Sequence, residues 1–164
     1  MEKAISLEIM KQQIAECMVD SKAFGWEFSD VDESNLTFTV RLLKSRDNEV
    51  YKLFVQFDNY PKWPPYLDFI DEETGVMGVK TAYPKCDDSF FNIHNNVAVI
   101  CHPYSRKAYK GFTGLHQDWG EYDQWATITQ HGKFENLRAF LVAVYVRLNS
   151  EKYVGRMEKK VVAP

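Results

Sequence analysis

Positive charge, cysteine and long uninterrupted hydrophobic stretches are all scarce in this chain. Twenty lysines and arginines face 23 aspartates and glutamates, a net charge of −3, so no basic surface for a nucleic-acid backbone is expected. The first twenty residues are broken by Glu2, Lys3, Glu8, Lys11, Glu16 and Asp20, and so lack the apolar core of a signal peptide. No later stretch has the length of a membrane span, and the expected location is cytoplasmic. Three cysteines, Cys17, Cys86 and Cys101, cannot all pair with one another. In a reducing compartment they are expected to be free thiols, metal ligands or nucleophiles. The chain has no phosphate-cradling glycine loop, serine-hydrolase elbow or paired-carboxylate motif, which leaves nucleotide-dependent and hydrolase readings without support.

What is present is apolar and aromatic. Hydrophobic residues make up 45% and aromatic residues 15% of 164 positions, enough to set disorder aside and to fill one domain spanning 1–164. Leu7, Met10, Ile14, Cys17 and Met18 recur at steps of three and four and predict an amphipathic helix over roughly 2–20. Cys17 on that stripe reads as a small buried apolar side chain. Leu36, Phe38, Val40 and Leu42 alternate with polar residues, as do Tyr51, Leu53, Val55 and Phe57, which predicts a hairpin of half-buried strands. The three prolines of residues 59–65 forbid a helix and impose a fixed turn before a further strand, Tyr66 to Ile70. Residues 76–124 show no sustained period, apart from one apolar run, Val97 to Ile100, that ends at Cys101. Phe134, Leu137, Leu141, Val144, Tyr145 and Leu148 share one face of a C-terminal helix. Helices at the ends around a meander of about four strands make the expected class α+β.

In that order of elements the chain resembles the ubiquitin-conjugating enzyme family. Residues 48–71 are similar to the family's third strand, proline turn and fourth strand. Phe91-Asn92-Ile93 is similar to its His-Pro-Asn-Ile signature, Val99-Ile100-Cys101 to the run carrying its thioester cysteine, and residues 124–129 to its Trp-Ser-Pro-Ala helix start. The chain also departs from the pattern. Asn92 lies nine positions before Cys101, one more than usual, and His102 and Pro103 follow the cysteine. An insertion at about 102–123 separates Cys101 from Trp125, and two C-terminal helices of the full-length fold are missing. These features resemble a divergent bacterial branch, found beside ubiquitin-like, activating-enzyme-like and deubiquitinase-like genes. The first helix is acidic where the eukaryotic family is basic, so contacts to an activating enzyme do not carry over.

The resemblance implies a carrier that takes a ubiquitin-like modifier onto Cys101 as a thioester and passes it to an acceptor amine. Its partners would be that modifier and an activating-enzyme-like protein, with no nucleic acid or membrane. The family assigns the oxyanion to its signature asparagine, here Asn92, whose local alternative is a turn residue bonding its own backbone. His102 or His116 would assist proton transfer. Adjacent residues of an extended chain point apart, so a Cys101–His102 contact requires a turn. No cofactor belongs to this reading. A second reading is a zinc site drawn from Cys86, Cys101, His116 and Glu121, with Asp118 a further acidic residue after His116, although no short zinc signature is present. A third is a non-catalytic module that binds a ubiquitin-like partner. Tyr104, Tyr109, Phe112, Trp119 and Tyr122 read as packing for the insertion, His94 and His131 as surface or turn residues. Ser105, Arg106, Lys107 and Lys110 read as a solvated charged loop.

Overall fold

The structure is a computed structural model and describes residues 2–128 and 135–160. His131, Phe134 and the last residue of the 124–129 match lie outside the described residues. Helix α1 runs Lys3–Val19, followed by one short turn of helix, α2, Ser21–Phe24. Met10, Ile14 and Cys17 are buried as the spacing requires, and Cys17 is a core thiol that burial pushes up to about 12. The buried stripe is rotated from the one expected, because Ser6 joins it while Leu7 is only partly buried and Met18 is exposed. Ser6 can be buried because its Oγ donates to the Tyr60 carbonyl at 2.7 Å.

Four antiparallel strands follow in sequential order: β1 (Trp26–Phe28), β2 (Thr37–Leu42), β3 (Tyr51–Gln56) and β4 (Tyr66–Ile70). The register places Phe38 opposite Val55, Val40 opposite Leu53 and Leu42 opposite Tyr51, so the alternating apolar residues share one buried face. Leu53 and Val55 in turn meet Phe69 and Leu67 of β4.

Residues 76–124 are more ordered than their lack of period suggests. Strand β5 is Pro84–Cys86, and β6 (Phe91–His94) pairs with β7 (Val97–Ile100) across a two-residue turn. Asn95 and Asn96 both have positive φ, 49° and 64°, the backbone that a right-handed twisted hairpin demands and asparagine tolerates. After the insertion come α3 (Trp125–Ile128) and α4 (Leu137–Leu148), whose N-cap Asn136 accepts the Ala139 N–H. The chain then forms β8 (Tyr153–Arg156), which pairs antiparallel with β5. The described C-terminal segment is therefore a strand where the resembled family has further helices.

The proline turn is the hub on which these parts meet. The Tyr60–Pro61 peptide is cis. Trp125 Nε1 donates to the Pro61 carbonyl, Arg106 Nε to that of Pro64 and the Arg106 backbone to that of Pro65. Tyr104 and Tyr109 of the insertion are fully buried, and the Tyr104 hydroxyl donates to that of Tyr60. Phe112 packs on Tyr66 and Tyr122, and Tyr122 stands edge-on to Trp63.

The basic patch corrects the sequence reading. Ser105, Arg106 and Lys107 are buried, and only Lys110 stands in solvent as expected. Arg106 Nη1 lies 2.9 Å from Asp58 Oδ1, and its guanidinium lies over the Trp63 ring. Lys107 Nζ donates to Asp68 Oδ2 at 2.7 Å. Charged side chains enter an interior only with such partners, and here the partners lie 39 and 48 residues away in the chain.

Candidate functional site

Cys101 follows the last residue of β7, and its backbone N–H donates to the Phe90 carbonyl at 2.7 Å, continuing the hairpin ladder by one bond. The chain then bends sharply, with the His102 N–H donating to the Ile100 carbonyl. At this end of the ladder the Cys101 side chain is partly exposed, unlike those of Cys17 and Cys86.

The insertion supplies its partner. Cys101 Sγ lies 2.7 Å from His116 Nε2, across 15 residues of chain. The His116 ring is stacked on Trp119 with centroids 3.8 Å apart and planes 8° apart, and Trp119 leans on buried Tyr109. Main-chain bonds from His116 N to the Ala108 carbonyl and from Trp119 N to the His116 carbonyl fix the turn. Asp118 Oδ1 faces Nδ1 at 3.7 Å. That is beyond hydrogen-bond distance, and Nε2 can accept the thiol proton in the neutral tautomer that carries its proton on Nδ1. Burial and the Asp88 carboxylate push the Cys101 thiol up, and Arg147 opposes them. At neutral pH Cys101 is therefore a thiol whose reaction calls for a base, and His116 is in contact to serve as one.

His102 is built into the wall. Its Nδ1 accepts the Tyr104 N–H at 3.0 Å, its Nε2 faces Glu135 Oε2 at 3.8 Å, and its ring packs between Phe90 and Phe140. The turn after Cys101 thus exists, yet the ring it carries is engaged by the backbone and the core. Asn92 sits on β6 opposite Val99, and its Oδ1 accepts the Ile93 N–H at 2.7 Å. That is the local backbone bond anticipated for it. It also lines a pocket of about 270 Å³ with Lys85, Cys86, Asp88 and Met157. His94 closes β6 before the asparagine turn, beside a second pocket of about 290 Å³ lined by Tyr66, Lys107 and Phe112.

The four residues named for zinc are not brought together. Cys86 is buried with its thiol directed at the Arg147 carbonyl, and burial with Asp88 pushes it up to about 11. Glu121 is exposed and pairs with Lys110 at 3.4 Å. Among the described residues no group of three or more His, Cys, Asp and Glu side chains is placed to hold a metal ion.

The sequence offered Asp118 only as a zinc ligand and Trp119 only as packing for the insertion, and neither as a neighbour of the His116 ring. The signal was local, since a histidine followed at two and three positions by an acid and an aromatic residue can place both against its ring within one turn. Protein-family models, curated proteins and solved structures give no match to the chain. Among the described residues no helix is long and apolar enough to cross a membrane.

Proposed function

We propose that the chain is a ubiquitin-conjugating-enzyme-like carrier that holds the C-terminus of a ubiquitin-like modifier on Cys101. The single observation that carries this reading is the contact between Cys101 Sγ and His116 Nε2, at the position where the sequence resemblance puts the thioester cysteine. An activating-enzyme-like partner would present the modifier as a thioester. Cys101 Sγ attacks that carbonyl as His116 Nε2 takes the thiol proton, and the partner's sulfur leaves with the proton returned to it. An acceptor amine then attacks the Cys101 thioester, the C–Sγ bond breaks, and the amine's proton passes through His116 to Sγ. With the Asn92 Oδ1 engaged by Ile93, its Nδ2 hydrogens remain as donors for the oxyanion. The α+β order of elements supports the same reading.

The test is a charging reaction with a candidate activating-enzyme-like protein, its ubiquitin-like partner and ATP, read on gels with and without thiol reductant. The reading requires a reductant-sensitive adduct on the wild-type chain and none on Cys101→Ala. Asn92→Ala should charge normally and discharge slowly to amine. No adduct with a pair that charges other carriers overturns it. About one zinc per purified chain, lost in His116→Ala, would favour the metal reading, and binding of the uncharged modifier alone the non-catalytic one.

A further inference from the structure

A base in contact with the acylated sulfur has a consequence for how long an acyl group lasts there. Transfer to an amine and transfer to water need the same thing, a proton acceptor beside the acyl carbon. His116 Nε2 is 2.7 Å from Sγ, and the side chain that carries it is 28% exposed, so the ring borders solvent. Its ring is held by Trp119 on one face and its backbone by bonds to Ala108 and Trp119, so the base stays in place when Sγ no longer carries a proton. We propose that Cys101 and His116 form a hydrolytic centre that cleaves acyl thioesters with water and needs no protein partner.

The geometry also limits the substrate class. The Cys101 N–H is engaged by the Phe90 carbonyl and the His102 N–H by that of Ile100, so neither backbone donor beside the sulfur is free to hold an oxyanion. Amide cleavage depends heavily on such donors and on protonation of a poor leaving group. A thioester is already activated and loses a thiolate, so a thiol–imidazole pair suffices for it. The steps balance without a cofactor. Sγ attacks the acyl carbon while Nε2 takes the thiol proton, the substrate C–S bond breaks, and the leaving sulfur takes the proton from Nε2. Water then attacks acyl-Cys101, giving its proton to Nε2. The C–Sγ bond breaks, Sγ recovers the proton, and a carboxylic acid departs. The proposal shares its nucleophile with the carrier reading but requires no modifier, so the two fail separately.

The experiment mixes the full chain with phenyl thioacetate and follows thiophenol release against enzyme concentration. The expected result is continued release over many equivalents per chain, absent in Cys101→Ala and about tenfold or more slower in His116→Ala. Release of one equivalent followed by arrest, with an acetyl group found on Cys101, overturns the hydrolytic proposal and leaves the carrier reading standing. Release that is unchanged in His116→Ala also overturns it. Turnover of the thioester by a chain that cannot be charged would sustain the hydrolytic proposal and remove the carrier reading.

Discussion

Lys107 Nζ lies 2.7 Å from Asp68 Oδ2, and the two side chains are 8% and 4% exposed. The pair ties the insertion to β4, and Asp68 also accepts the Tyr83 hydroxyl and the Phe69 N–H. Removing one partner of such a pair leaves the other charge buried, whereas removing the charge from both need not destabilise. Lys107→Met is expected to cost about 3–5 kcal/mol in urea unfolding. Adding Asp68→Asn should recover most of that loss, because the neutral carboxamide oxygen still accepts from Phe69 and Tyr83. Equal stability of the double and single variants would contradict the assignment.

The Asn95–Asn96 turn makes a second prediction. Both residues hold positive φ, which costs a β-branched residue roughly 1–2 kcal/mol per position and glycine nothing. Asn96→Gly should leave the melting temperature nearly unchanged, and Asn96→Val should lower stability by about that amount. It should also slow Cys101 chemistry, because the hairpin carries Cys101 at its other end.

Acid should weaken the attachment of β8. Burial alone raises the Asp47 carboxyl, but hydrogen bonds from the Tyr153 hydroxyl at 2.8 Å, the Glu49 N–H and Ser45 Oγ outweigh it and hold the group below its ordinary value. A carboxyl depressed on folding stabilises the chain above its unfolded pKa, about 3.9, and loses that contribution as pH falls through the folded value. The stability gap between wild type and Tyr153→Phe should therefore be widest near neutrality and shrink below about pH 3.9. A gap that is flat with pH would exclude this linkage.

Trp119 stacks on His116, and on the proposed reading its loss should be felt in rate before stability. Trp119→Ala frees the His116 ring and should slow Cys101 reactions roughly tenfold. Trp119→Phe, which keeps a flat face, should restore most of the rate. A purely structural role would lower stability in both variants without changing the pH profile of Cys101.

Periodic elements were legible in the chain, and partners distant along it were not. The alternation from Phe38 to Phe57 and the C-terminal spacing from Leu137 to Leu148 report burial directly, because one face of a strand or helix meets the core. The β6–β7 hairpin escaped because strands of four residues carry too few repeats to show a period. Its Asn-Asn turn was not read as one. Arg106 and Lys107 looked solvated because their charge is written in the sequence, while the carboxylates that bury them come from the strands and turn of the meander. Cys101 was proposed from its neighbours, but the choice between His102 and His116 as its contact depends on which ring the fold brings to the sulfur. Adjacency in sequence favoured neither.

We propose that Cys101 is a nucleophile made reactive by His116. Alkylation of Cys101 by iodoacetamide, followed by mass spectrometry from pH 6 to 10 in wild type and His116→Ala, tests it most directly. Cys17 and Cys86, pushed up to about 12 and about 11, should stay unmodified while the chain is folded. Wild type is expected to react about tenfold or more faster near pH 7, with the gap closing at high pH, where the thiolate forms without a base. Equal rates for the two chains at pH 7 would contradict it.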